Sequence, residues 1–325
     1  MAKEMIKNNT FSKLLSKLQV KLDEKDFYEA HQLYKIIYFR YITQQKYEEA
    51  MHLIIDGSNL LLNKQQIPSG YDLAMLYLEG IKKEYLPFDK ISIDKLVTIF
   101  KLLPKESLER NQFQCTLLDI LKQSTSNDTQ SLLNLIHSQF GKVLWAEKDF
   151  PQARYHFIRS SDYESCASML IDYAVNYGYP NETDLFIAQT VFQYLCLKNQ
   201  NTAQIVFFSY VKMHPVIHKD NPPFPLPLLN FLCFLLFAIQ NKDKLTVFSI
   251  LCDKYERALK RDPSFFTYLE KIGQLFFGLK PRNSSQNSFG MFDNIFQNLM
   301  TNFQGMVAPQ NPNIPDNLAD EDEMD

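Results

Sequence analysis

Six histidines, five cysteines and a scatter of carboxylates are the residues of this chain that could do acid–base, nucleophilic or metal chemistry. Their spacing denies most of them a partner. His31, His52, His137, His156, His214 and His218 are dispersed. Cys115, Cys166, Cys196, Cys233 and Cys252 include no C-x-x-C pair, so a structural zinc site would have to be assembled from distant residues. His156 and Cys166 lie on adjacent predicted helices and could face each other as base and nucleophile. Nothing nearby would orient the base, however, so a buried cysteine beside a surface histidine is the expected arrangement. Glu48 and Glu49 are neighbours in sequence and so point in different directions on a helix, which makes them surface charge. No phosphate-binding, dinucleotide-binding, serine-hydrolase or zinc-protease motif is present. The sequence therefore predicts no enzyme, no cofactor and no metal.

Composition points the same way. Nine glycines leave few places for loops that cradle phosphate, whereas a 14% aromatic share supplies many packing anchors. Lys and Arg at 34 against Asp and Glu at 37 give a net charge of −3, which is no electrostatic footprint for nucleic acid. The cysteines, set among apolar helix residues, read as reduced core thiols in a cytosolic protein. The N-terminus has no apolar run of signal-peptide length, and no stretch reaches the ~20 apolar residues of a membrane span. Leu226 to Ile239, the closest approach, is interrupted by Pro227 and Asn230 and reads as a buried helix.

The elements that would position any site are announced by Asp26 to Ala50, DFYEAHQLYKIIYFRYITQQKYEEA. Leu33, Tyr34, Ile36, Ile37, Tyr38, Phe39, Tyr41 and Ile42 are too dense for one surface stripe, so this helix is expected to be packed on several sides. The phrase Asp26-Phe27-Tyr28-Glu29-Ala30 recurs as Lys46-Tyr47-Glu48-Glu49-Ala50 and as Asp149-Phe150-Pro151-Gln152-Ala153. Each places an aromatic shortly before a small alanine at the start of a helix that follows another helix. Stacked helical hairpins begin this way, the alanine letting two axes approach, and the fold expected is an all-α, TPR-like α-solenoid of irregular period.

The helices are predicted near 11–24, 27–43, 46–63, 71–86, 91–103, 106–123, 130–147, 151–160, 163–177, 182–198, 201–213, 228–240, 243–260 and 263–278. Phe11, Leu14, Leu15, Leu18 and Leu22 share one face of the first, and Lys13, Lys17 and Lys21 line another, as a solvated stripe or one that meets an acidic partner. Pro68-Ser69-Gly70 and the polar run 123–130 are expected to be turns. His214 to Pro227 holds five prolines and cannot be regular helix, so an extended or hairpin projection is expected there. From Lys280 onward the apolar density is too low to offset ordering entropy, which predicts a disordered tail with an acidic end. Within it Phe292, Ile295, Phe296, Leu299, Met300 and Phe303 fall at helical spacing, a docking segment for a partner or for the chain itself.

Several ungapped blocks carry a family likeness. FYEAHQLY at 27–34, RYHFIRSSDYESCASML at 154–170, YLCLKN at 194–199, KLTVFSILCDKY at 244–255 and RDPSFFTYLEKIGQLFFG at 261–278 occur in order. On these residues, from about Asp26 to Leu279, the chain resembles the Golgi-to-ER traffic protein 4 family, the guided-entry scaffolds for tail-anchored proteins.

The resemblance implies a cytosolic, non-enzymatic, right-handed α-solenoid that bridges two partners. Residues 1–150 would hold the dimeric ATPase that targets tail-anchored proteins to the ER. Residues 151–279, with a Pro-rich projection at 214–227, would bind a ubiquitin-like adaptor, with or without a ubiquitin-like holdase, and 280–325 would be the tail. The family's ATPase-anchoring positions fall on His31 and Lys35, one turn apart, where relatives tend to have Arg at the second place; a Lys keeps the charge and loses the bidentate fork. Its regulatory acidic pair falls on Asp72 and Glu79. Adaptor contacts map to the Pro-rich region, with Phe224, Leu226, Phe231 and Phe234 as candidates. Simpler roles stand beside these. Ser69 to Asp72 fits a capping box, His31 fits a packing residue, Lys35 and Glu79 fit solvated charges, and Phe231 and Phe234 fit core. The rival readings are a hydrolase or transferase with a dispersed site, and a helical-repeat subunit of some other assembly.

Overall fold

Three residues are enough to turn one helix back along the next in this chain. The computed structural model describes residues 2–123, 128–217, 219 and 221–279, with the side chains of 2–10 excepted. Among these residues there are helices and no strand. They are α1 (Ala2–Asp23), α2 (Phe27–Thr43), α3 (Tyr47–Asn63), α4 (Ile67–Lys82), α5 (Lys90–Leu102), α6 (Leu108–Gln123), α7 (Thr129–Ala146) and α8 (Phe150–Ile158). There follow α9 (Tyr163–Tyr177), α10 (Thr183–Cys196), α11 (Gln200–Met213), α12 (Pro227–Gln240), α13 (Leu245–Lys254), α14 (Glu256–Leu259) and α15 (Ser264–Phe276).

The connections α1–α2, α2–α3, α3–α4, α7–α8 and α10–α11 are built alike. In each the middle residue, Lys25, Gln45, Gln65, Lys148 or Lys198, has a left-handed backbone with φ between 59° and 68°. Its N–H bonds the carbonyl three residues back, and the next N–H bonds the carbonyl five back. At the second turn these are Gln45 N to Ile42 O at 2.9 Å and Lys46 N to Tyr41 O at 3.0 Å. This pair of bonds satisfies the last carbonyls of the outgoing helix, normally a task for glycine at the left-handed position. The next residue caps the incoming helix. Asp26 and Asp149 accept from the backbone N–H of Glu29 and Gln152.

Four residues after each cap the chain places a small residue, Ala30, Ala50, Gly70, Ala153 or Ala203, all buried. The sequence shows this phrase three times and the structure five. The two additional copies, Gln66–Gly70 and Asn199–Ala203, lack the aromatic that marks the others. Gly70 stands in for alanine because a Cβ there would lie 2.6 Å from Leu62 Cγ and 3.0 Å from the Leu62 backbone nitrogen. The expected break at Pro68-Ser69-Gly70 is therefore corrected: these residues form the first turn of α4, where proline's missing N–H costs nothing.

The described helices divide between Pro180 and Asn181 into two compact units. The first extends past residue 150 because α7, α8 and α9 pack in continuous succession. Its core runs from Ile37, Ile54 and Leu78 through Phe100 and Phe140, whose rings stack at 4.2 Å, to Phe157. Arg110 lies over the Phe100 ring and forms a two-pronged ion pair with Glu147 at 2.8 and 3.0 Å. In the second unit α12 packs against α10, α11 and α13, and α15 returns onto α10. Arg261 there meets Asp184 Oδ2 at 2.8 Å and also bonds the Asn181 carbonyl. The helix expected over 243–260 is interrupted at Tyr255, whose ring lies against Phe231.

Other expectations are adjusted by packing. Cys166, Cys233 and Cys252 are buried, whereas Cys115 faces solvent. Leu15 is exposed, and Lys21 leaves the basic stripe to bond Glu24 and Asp26. The described residues of the Pro-rich segment are non-helical up to Leu226, and some are tied to the core. Ile217 and Phe224 are buried, and the Asn230 carboxamide bonds both the N–H and the C=O of Phe224 at 2.8 and 2.9 Å. The expected disordered tail, its amphipathic segment and residues 124–127 of the polar run lie outside the described residues.

The left-handed residues give a direct test. Gln45→Gly and Gln65→Gly, at exposed positions, are each expected to stabilise the chain by about 1 kcal/mol, read as a rise of roughly 2–4 °C in the thermal midpoint. Ala50→Leu should destabilise it by about 1–3 kcal/mol, because the added atoms have no space between α2 and α3.

Candidate partner-binding site

The polar residues that the sequence singles out near the N-terminus meet across two helices. His31 and Lys35 sit one turn apart on α2, and Asp72 faces them from α4. Asp72 Oδ2 accepts from His31 Nε2 at 2.8 Å and from Lys35 Nζ at 2.9 Å. The partners select the histidine tautomer: Nε2 carries a proton toward the carboxylate, and Nδ1 accepts from the Gln32 side-chain amide at 3.3 Å. Burial raises the Asp72 carboxyl, but the hydrogen bonds from Lys35 and His31 outweigh it and hold the group below the ordinary range. His31 is nearly buried, while the Asp72 side chain is 42% exposed and remains within reach of a partner.

The capping-box role for Asp72 is thereby corrected. The cap position of α4 is Gln66, and Asp72 lies too far into the helix to reach an unpaired N–H at its start. His31 is both a packing residue and a polar one. Glu79 stands apart from the cluster, exposed, and accepts from Lys83 at 2.6 Å one turn on. Asp72 and Glu79 nevertheless line one groove between α4 and α6, together with Met75, Leu76, Lys82, Asp119 and Ile120.

Around the cluster α2 is less covered than its apolar density suggests. It packs on α1, α3 and α4, yet Tyr28 is 70%, Ile36 44% and Phe39 53% exposed. The expected packing on several sides is met by these three neighbours, which still leave the outermost face open. Tyr28, Lys35 and Phe39 follow one another along that face at helical spacing. No sequence signal separates Ile36 and Phe39 from their buried neighbours Ile37 and Tyr38.

Of the candidate adaptor contacts in the second unit, Phe224 and Phe231 are withdrawn into the core. Phe231 packs edge-on to Phe192, and Phe224 edge-on to Phe207. Leu226 is half-buried and caps α12, and Phe234 is exposed. Phe237, one turn further on, shares that exposure although the sequence reading did not single it out.

Several of the residues that could do chemistry on their own account are placed for packing: Cys166, Cys233, Cys252, His137 and His156 are buried. Among the described residues no group of three His, Cys, Asp or Glu side chains could hold a metal ion, and no helix is long and apolar enough to cross a membrane. The expectation of a surface His156 is corrected, since it is fully buried with its Nδ1 2.9 Å from His137 Nδ1. One ring must donate and the other accept, so at most one can be charged, and burial keeps both neutral near pH 7. His156 Nε2 has no hydrogen-bond partner, which is less costly for a bare lone pair than for an N–H. His156 is thus the donor at Nδ1.

Burial, then Arg159 and Lys122, lower His137 to about 4; burial, then His137 and Arg159, lower His156 to about 3. The unfolded imidazoles bind protons near pH 6.5, so between there and about pH 4 the unfolded state holds more protons. This contribution to stability is present above pH 6.5 and is lost as pH falls. Denaturation at pH 7 and pH 4.5 should differ by on the order of 5 kcal/mol from this pair, about half from each ring. His137→Leu with His156→Leu should flatten that difference, and an unchanged slope would assign it to other groups.

With this geometry in hand, the chain can be set beside known proteins. Residues 44–296 match the family described as Golgi to ER traffic protein 4. The Golgi to ER traffic protein 4 homolog of Oryzias latipes is 42% identical over 284 residues, covering 87% of this chain and 86% of that protein. The Homo sapiens homolog is 39% identical over 296 residues, covering 91% and 89%. A crystal structure of C. therm. Get4 matches with a TM-score of 0.73 over 94% of this chain and 100% of that chain, at 23% identity, a likeness of fold. The all-helical architecture and the resemblance carried by the sequence blocks agree with these matches. The chain belongs to the Golgi to ER traffic protein 4 family.

Proposed function

We propose that the chain is a non-catalytic cytosolic scaffold that brings a chaperone-linked ubiquitin-like adaptor to the ATPase that targets tail-anchored proteins to the ER membrane. The ATPase is held at the α2–α4 face of the first unit. The adaptor, with or without a ubiquitin-like holdase, is held at the exposed face of α12. Bringing donor and acceptor onto one chain makes client transfer a local event at high effective concentration. A scaffold that binds the nucleotide-loaded ATPase better than the empty one also biases it toward the client-ready state.

The observation that carries this reading is the outer face of α2. Exposed Ile36 and Phe39 flank Lys35, whose ammonium is aimed by Asp72. Apolar anchors beside a held charge are what protein interfaces spend their affinity on. An enzyme's cleft would show a nucleophile within reach of an oriented base, which this face lacks. Asp72 then belongs to the anchoring cluster as well as to the acidic groove, so its substitution disturbs both, while Glu79 acts through the groove alone.

The test is titration of the chain into the ATP-loaded ATPase. His31→Ala with Lys35→Ala is expected to weaken binding at least tenfold with helicity unchanged by circular dichroism. Glu79→Lys should leave binding within about twofold and alter control of ATP turnover. Absence of binding by the natural chain would leave a helical-repeat subunit of another assembly as the better description.

A further inference from the structure

The second unit leaves an apolar strip in solvent. On α12, Phe234 and Phe237 are each 39% exposed one turn apart, and Ile205 on α11 is 42% exposed. The half-buried Phe208 joins the two helices, its ring 6.3 Å from Phe237. Its α12 side is also uncharged, and the nearest charge on the α11 face is Lys212, one turn beyond Phe208. Helix α12, PLLNFLCFLLFAIQ, has no ionisable acid or base apart from Cys233, which is buried, and a Gln204–Gln240 hydrogen bond closes the α11–α12 seam.

We propose that the 292–303 segment of this same chain docks on this strip. Its Phe292, Ile295, Phe296, Leu299, Met300 and Phe303 recur at the spacing of one helical face, and Asp293 is the sole charge between 291 and 305. An apolar face seated on the uncharged side of α12 desolvates no ion there, and Lys212 at the α11 edge can stay in water. The described chain leaves at the right place. Phe277 stacks on Phe248 of α13 at 4.6 Å, Leu279 N bonds Gly273 O, and α13 is packed beside α12. Residues 280–291 span up to ~40 Å when extended, against the ~20 Å that two helix spacings require. The match to the family runs on to residue 296, past the last described helix and through Phe292, Ile295 and Phe296. The segment is thus continuous with what the family shares.

The regulatory meaning rests on the adaptor reading above: a segment seated over Phe234 covers the most exposed of the proposed adaptor contacts, so segment and adaptor compete. The docking itself stands apart from that reading and is tested without any partner. A photo-crosslinking phenylalanine analogue at position 296 of the full chain should form cross-links to α11 and α12 peptides, with a yield unchanged over about a hundredfold dilution. Phe292→Glu with Phe296→Glu should raise binding of an apolar-surface dye several-fold, and Phe237→Glu should abolish the α12 cross-link with the thermal midpoint maintained. Cross-links confined to a second copy and growing with concentration, cross-links confined to other helices, or none at all would each overturn the proposal. Should the adaptor bind equally to the natural chain and to the Phe292→Glu, Phe296→Glu variant while the cross-links form, docking stands and competition does not.

Discussion

Close approach of helix to helix is the constraint on which the rest depends. A connection of three residues leaves no slack, so the backbone must turn at a single left-handed residue and the incoming helix must pass very near the outgoing one. The first requirement appears as the recurring left-handed Lys or Gln, the second as the small residue four positions after each cap. A glycine at the turn would be easier for the backbone. Its scarcity in this chain means that local strain is held by the paired backbone bonds of the turn and by the packing that follows.

That packing fixes the geometry of the α2–α4 face. Because α2, α3 and α4 are joined by two such tight turns, α4 is brought back beside α2, and Asp72 arrives opposite His31 and Lys35. A surface lysine on a four-carbon stem ordinarily samples many rotamers, and aligning it costs entropy at each binding event. Here a carboxylate held by histidine as well does part of the aligning beforehand. Lys35 is thus supported by its neighbours. The groove between α4 and α6 also includes Asp72, so the cluster and the groove are physically joined at one residue.

The second unit solves a different problem. Its most apolar helix, α12, follows a segment that cannot be helical, and the carboxamide of Asn230 holds that segment as a paired strand would, through one N–H and one C=O. This frees α12 to bury one side in the core while Phe234 and Phe237 remain outside.

The sequence by itself determined the helical class, most helix positions, the alanine contacts and the absence of catalytic motifs, since each is written in local spacing that helical geometry repeats every turn. The ordered blocks were enough to carry the family likeness. Tertiary structure alone decided which apolar residues face water: Ile36 and Ile37 are indistinguishable by type, and only the number of neighbours around α2 separates them. It also joined Asp72 to residues 37 and 41 positions away, buried His156 against His137, and turned Pro68 from a break into a helix start. Those outcomes depend on which helices become neighbours in space, and no local pattern records that.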